Sequence, residues 1–170
     1  MFTIVDNFKT YFPYDEESYY AVSVAYRELN RQDDELKILE EALLRIKVAP
    51  KCALRYADIL FNRGLYDESV EAIKRGINDA NQTQSSVSQE YIFYLSALSK
   101  IAIAFRSNAN LKKAEVHDIY SDFNIALKRF TRINSSYWQV IQDKTDLLIS
   151  KTGFPVPDEY DRLVDCIDTQ

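Results

Sequence analysis

Apolar residues return every three or four positions along most of this chain, the spacing that gathers them on one face of an α-helix. In "EESYYAVSVAYREL" the face is Tyr19, Val22 and Tyr26, and in "DELKILEEALL" it is Leu36, Leu39 and Ala42. "YADILFNRGLYDESVEAIKRGI" holds two such helices joined at Arg63-Gly64. Further on, the polar connector "NQTQSSVSQE" ends in a capping box, Ser86 with Gln89, and opens a long helix to Arg106. A turn at "SNAN" leads to a helix from Leu111 to Ile133 with Ile119, Phe123, Ala126, Leu127 and Phe130 on one face. A last helix, Ser136 to Lys151, carries Trp138, Ile141, Thr145 and Leu148 on one side and Gln139, Gln142, Asp143 and Asp146 on the other. Gly153 and Pro155 stop it. The pattern predicts an all-α chain.

The two leading helix pairs repeat. A slide of thirty-four residues sets Val22-Ser23 over Tyr56-Ala57, Tyr26 over Leu60 and Asn30 over Gly64. It also sets Leu36 over Val70, Leu39 over Ile73 and Ala42 over Gly76, large on large and small on small. A chain that reverses between antiparallel helices needs a residue of positive φ at the helix end, which glycine takes without a Cβ penalty and asparagine takes next best. Gly64 and Asn30 are therefore predicted turn residues. Tyr66 starts the second helix of its pair and is predicted to fold its ring back on the first. Ala42 and Gly76 allow close helix crossings, and Pro50 sits where a helix's first turn needs no N–H.

This length and pattern resemble the tetratricopeptide repeat, a helix-turn-helix unit. The resemblance covers residues 16–81 and fades beyond, where Ala102, Phe105 and Ala114 keep a trace of it but Asp118 stands in place of an aromatic. It implies a TPR-like α-solenoid of antiparallel helix pairs with a C-terminal capping helix. The layout is then one helical domain, 1–153: a half-repeat at 1–12, repeat 1 at 16–49, repeat 2 at 50–81, a long degenerate pair at 87–133 and a cap at 136–151. The half-repeat carries Phe2, Val5, Phe8 and Phe12 as a stripe expected to pack on Tyr19, Val22 and Tyr26. Residues 154–170 form a tail in which Tyr160, Leu163, Val164 and Ile167 fit one side of a short helix.

Composition narrows the function. Twenty-one basic against 26 acidic residues give a net charge of -5, contrary to the basic surplus of a nucleic-acid binder. The most apolar window, 91–105, contains Lys100 and is too short to cross a bilayer. The N-terminus lacks a secretory pattern, and Cys52 and Cys166 match no disulfide framework, so a cytoplasmic protein without membrane attachment is expected. One histidine, His117, no C-x-x-C and no glycine-rich phosphate loop leave no catalytic or metal residues to nominate and no cofactor. Asp33-Asp34 and Glu40-Glu41 read as solvated pairs.

The resemblance supplies the candidate site, a concave face lined by the first helix of each unit. Its inward positions are Tyr20, Val24 and Arg27 in the first unit and Leu54, Asp58 and Phe61 in the second, with Lys51, Arg55 and Asn62 beside them. Some members clamp acidic chaperone tails with Lys and Asn; the matching first-unit places here hold Tyr20 and Val24, which argues against that ligand. The implied role is a non-enzymatic interaction module, a scaffold or adaptor, that holds a peptide or amphipathic helix of another protein. Self-association through the N-terminal half-repeat is a second expected contact, and the chain's own tail a competitor for the groove. The alternative is a C-terminal regulatory or oligomerisation domain of a larger enzyme, ATPase or transcription regulator.

Overall fold

A computed structural model describes Asn7 and residues 10–83, 86–107, 110–130 and 136–157, the side chains of 86–91, 127–130 and 136–141 excepted. Among the described residues the chain is helical, without strands: α1 Glu16–Glu28, α2 Gln32–Arg45, α3 Pro50–Asn62, α4 Tyr66–Thr83, α5 Ser86–Arg106, α6 Lys113–Phe130 and α7 Ser136–Thr152. It divides into two compact units, Met1–Tyr91 and Ile92–Gln170. No described helix is long and apolar enough to cross a membrane.

In the first unit, the predicted turns have the predicted backbone. Asn30 has φ 56° and Gly64 has φ 75°. Both close the same hydrogen-bond motif. Asn30 N donates to Arg27 O at 2.9 Å and Arg31 N to Tyr26 O at 2.9 Å. Thirty-four positions on, Gly64 N donates to Phe61 O and Leu65 N to Leu60 O, each at 3.0 Å. These paired bonds satisfy carbonyls that a bare helix end leaves open. The Arg31 guanidinium stands 5.0 Å over the Tyr26 ring across the first turn. Tyr66 meets Phe61 edge to face at 5.4 Å, the back-folded ring that its position predicts.

Each pair is antiparallel by its contacts. Tyr19, early in α1, donates its hydroxyl to Glu41, late in α2, at 3.5 Å. In the second pair, Ser69 Oγ donates to Ala57 O at 2.9 Å, and Asp79 near the end of α4 accepts from Ala49 N at the start of α3. The buried centre of the first pair continues into α3: Tyr19, Val22, Ile38, Leu39, Ala42 and Ile46 pack with Ala49, Cys52 and Ile59. Ala42 is fully buried and Gly76 is buried, in keeping with close crossings.

In the second unit, Leu95, Leu98, Ile101 and Ala102 of α5 are fully buried, as are Ile119 and Ala126 of α6 and Leu148 of α7. Tyr94 and Phe123 lie 6.1 Å apart between ring centres, tilted by 40°. Ser96 and Lys100 of α5 both donate to Asp122 Oδ2 of α6, at 3.0 and 2.7 Å. α6 begins at Lys113, later than the Leu111 expected, because Lys112 N is taken by Glu115 Oε2 at 2.7 Å and the helix starts from that cap. α7 ends at Gly153, φ 72°, whose N–H donates to Ile149 O at 2.8 Å.

Several expectations rest on residues or side chains that are not described: Phe2, Val5 and Phe8 of the N-terminal stripe, the side chains of the Ser86–Gln89 box and of Leu127, Phe130, Trp138 and Ile141, and residues 158–170 of the tail with Cys166. Of that stripe, Phe12 is described; it follows the last helical residue before α1 and is 55 % exposed.

Candidate functional site

The site starts at a helix end without a local cap. The N-cap position of α3 is Ala49, which offers no side-chain oxygen to the free N–H groups behind Pro50. Two distant carboxylates fill the role. Glu16 Oε1, from the first turn of α1, accepts from Lys51 N at 2.6 Å and Cys52 N at 3.0 Å. Asp79 Oδ2, from α4, accepts from Ala49 N at 2.9 Å and from Arg75 Nε at 2.7 Å. Arg75 reaches on to Ile46 O and Lys47 O, each at 2.9 Å, so it also closes the α2–α3 connection. Glu16 thus ties the starts of α1 and α3 together.

Burial lifts the Glu16 carboxyl to about 7, against the lowering effect of the Cys52 and Lys51 N–H donors and the Lys51 ammonium; Glu17 adds to the rise. Lys51 also pairs with Glu17. Burial likewise pushes the Cys52 thiol far up, with Glu16 and Glu17 in support, so it stays protonated and inert.

Further along α3, against α2, lies a charge cluster. Arg55 Nε meets Glu35 Oε1 at 2.7 Å and Nη2 meets Oε2 at 3.2 Å, a forked pairing between α3 and α2. Arg55 Nη1 meets Asp58 Oδ2 at 3.3 Å, one turn along α3. The Glu35 side chain is 1 % exposed, Asp58 4 % and Arg55 15 %. Burial pulls the Arg55 charge down, but its hydrogen bonds and charge pairing with Glu35, with Asp58 and Tyr20 adding, hold it above its ordinary value.

The six predicted site residues separate into two groups. Tyr20, Val24 and Arg27 of α1 are half-buried, so each presents some surface; Tyr20 rests against the first unit's core, and Arg27 lies 3.8 Å from Glu28. Leu54, Asp58 and Phe61 of α3 are buried, at 2, 3 and 3 % exposure. Leu54 and Phe61 therefore serve as core in this structure, and Asp58 as a partner of Arg55. The physical reason is local: on α3, positions 52, 53, 54 and 57 to 61 are all buried, so this helix has no broad wet face. Of the neighbours, Lys51 and Arg55 are half-buried and Asn62 is exposed.

Sequence reading passed over Glu16, Glu35, Asp79 and Arg75. A signal was present for two of them. Glu35 shares its helix face with Ile38, Leu39 and Ala42, and Asp79 shares one with Ala72, Ile73, Gly76 and Ala80. A carboxylate on an apolar stripe must find a partner on burial. Nothing in the sequence identifies that partner. Among the described residues, no group of three or more His, Cys, Asp or Glu side chains converges as a metal site would. His117 is exposed, and Asp33 and Asp34 are taken by Arg63 at 2.8 Å and Arg31 at 2.7 Å. No family model, curated protein or solved structure matches the chain.

Proposed function

We propose that this chain is a non-enzymatic interaction module of tetratricopeptide-like construction, whose first two helix pairs stack as units of a solenoid and hold a peptide or amphipathic helix against α1. The supporting observation is the Glu16 tie, which sets α1 and α3 side by side from a common start, as first helices of successive repeats stand. The recurrence of one turn motif at Asn30 and Gly64 supports the same reading. Within the proposed groove, Tyr20, Val24 and Arg27 are the contact residues, while the Arg55–Glu35–Asp58 cluster joins α3 to α2.

The test uses the full chain as bait in the cytosol of its native cell, as wild type and as Arg27→Glu. Arg27 is half-exposed, and its one described ion pair is a long one with Glu28, so reversal spares the core. A specific co-purifying protein lost with Arg27→Glu, at unchanged helix signal and melting temperature, supports the module. Identical capture by both chains removes α1 from the binding face.

A further inference from the structure

The second unit holds a cleft independent of the α1 face. It runs between the end of α5 and the start of α6, encloses about 380 Å³, and is lined by Lys100, Ile103, Ala104 and Ser107 on one side. Asn110, Leu111, Glu115, Asp118 and Ile119 line the other. Its floor is apolar: Ala104 and Ile119 are buried, Leu111 is half-buried, and Ile103 stands 43 % exposed at the edge. Among the described residues, an isoleucine open to that degree beside a concavity is apolar surface without a cover.

The rim has one sign of charge to offer. Lys100, the one cation lining it among the described residues, is held by Asp122 at 2.7 Å and is largely neutralised. Glu115 and Asp118 are exposed, one helical turn apart on α6, and point along the same edge. Glu115 spends one oxygen on Lys112 N; Asp118 has no ion pair among the described residues. The same helix carries Lys113 and His117 toward a different cleft, with Val116, Tyr120 and Phe154. In the first turns of α6, Glu115 and Asp118 line one cleft and Lys113 and His117 the other. Asp118 is also the residue that breaks the repeat pattern where an aromatic is expected. At this position a carboxylate remains at the surface and charges the rim.

We propose that this cleft binds a basic peptide segment of another protein, inserting one large apolar side chain over Ile103, Ala104 and Ile119 while flanking Lys or Arg residues meet Glu115 and Asp118. A cavity of this volume suits one or two side chains rather than a whole helix face. Complementary charge fixes register and speeds encounter, and the apolar anchor supplies most of the affinity.

The probe is a fluorescein-labelled peptide in which one leucine is flanked on each side by two lysines, titrated by anisotropy against the full chain. A leucine-to-serine version and a version with glutamates for lysines serve as controls. The parent peptide should bind, and each control should bind at least about tenfold more weakly. Asp118→Lys and Ile103→Ser, both at exposed positions, should each weaken the parent peptide about tenfold at unchanged melting temperature. Glu40→Lys, an equal charge reversal on an exposed position of α2, should leave affinity unchanged. If Glu40→Lys weakens binding as much as Asp118→Lys, attraction is to net charge and the site is refuted. Equal binding by wild type and Ile103→Ser refutes it as well, whatever the fate of the α1 reading.

Discussion

Replacing Arg55 by methionine removes the guanidinium that Glu35 depends on while keeping most of its apolar stem. Glu35 then loses both hydrogen bonds, at 2.7 and 3.2 Å, with its side chain 1 % exposed. Removing one member of a buried charge pair costs about 3–5 kcal/mol, because the survivor keeps its desolvation penalty without its partner. Urea unfolding followed by far-ultraviolet circular dichroism at pH 7.5 should show a loss of about 3–5 kcal/mol relative to wild type. The double variant Glu35→Gln, Arg55→Met should recover part of the deficit at pH 7.5, since no buried charge remains on α2. A loss below about 1 kcal/mol refutes the view of Glu35 as a desolvated carboxylate that depends on Arg55.

Gly64→Val meets open space, with nothing within 4 Å of its Cβ, so its cost is the backbone alone: about 1–2 kcal/mol for a left-handed residue, read as a lower melting temperature. An unchanged melting temperature would contradict the turn geometry. For Glu16, the folded pKa of about 7 lies above the ordinary 4.5, so the native state holds the extra proton across that window and its contribution to stability falls as pH rises from 4.5 to 7. Glu16→Gln keeps the acceptor oxygen without the charge; its stability relative to wild type should increase over that window, and a constant difference in urea midpoints would sink the argument. Cys52 is fully buried and its thiol is pushed up, so in a Cys166→Ser chain it should resist N-ethylmaleimide at pH 8 until urea is added. Complete labelling of the native chain within minutes would show that the α1–α3 junction opens readily. Phe61→Ala truncates a core side chain at 3 % exposure and should cost about 3–5 kcal/mol by urea unfolding; a stable variant would place Phe61 at a binding surface after all.

The sequence by itself determined what acts within about one helical turn. Asn30 and Gly64 take positive φ because few residues pay less for it, and the chain must reverse there. Pro50 opens α3 because its missing N–H is harmless in the first turn, and Tyr66 lies against Phe61 because the turn between them is short. Gly153 ends α7 for the same reason as Gly64. Helical periodicity also identified Leu39, Ala42, Ile73 and Ile119 as inward positions, since a face that is apolar at that spacing has one place to go. Tertiary structure decided the rest. The carboxylates that finish the start of α3 come from Glu16 and Asp79, 35 and 30 residues away from the N–H groups they accept. Only packing brings them there, because the capping rules legible in a sequence reach three or four residues and Ala49 satisfies none of them. Glu35 and Arg55 are ordinary charged residues in the sequence, and burial makes them partners. Leu54 and Phe61 are apolar in either reading; whether such a side chain anchors a ligand or fills a core depends on what lies over it, and no local pattern carries that information.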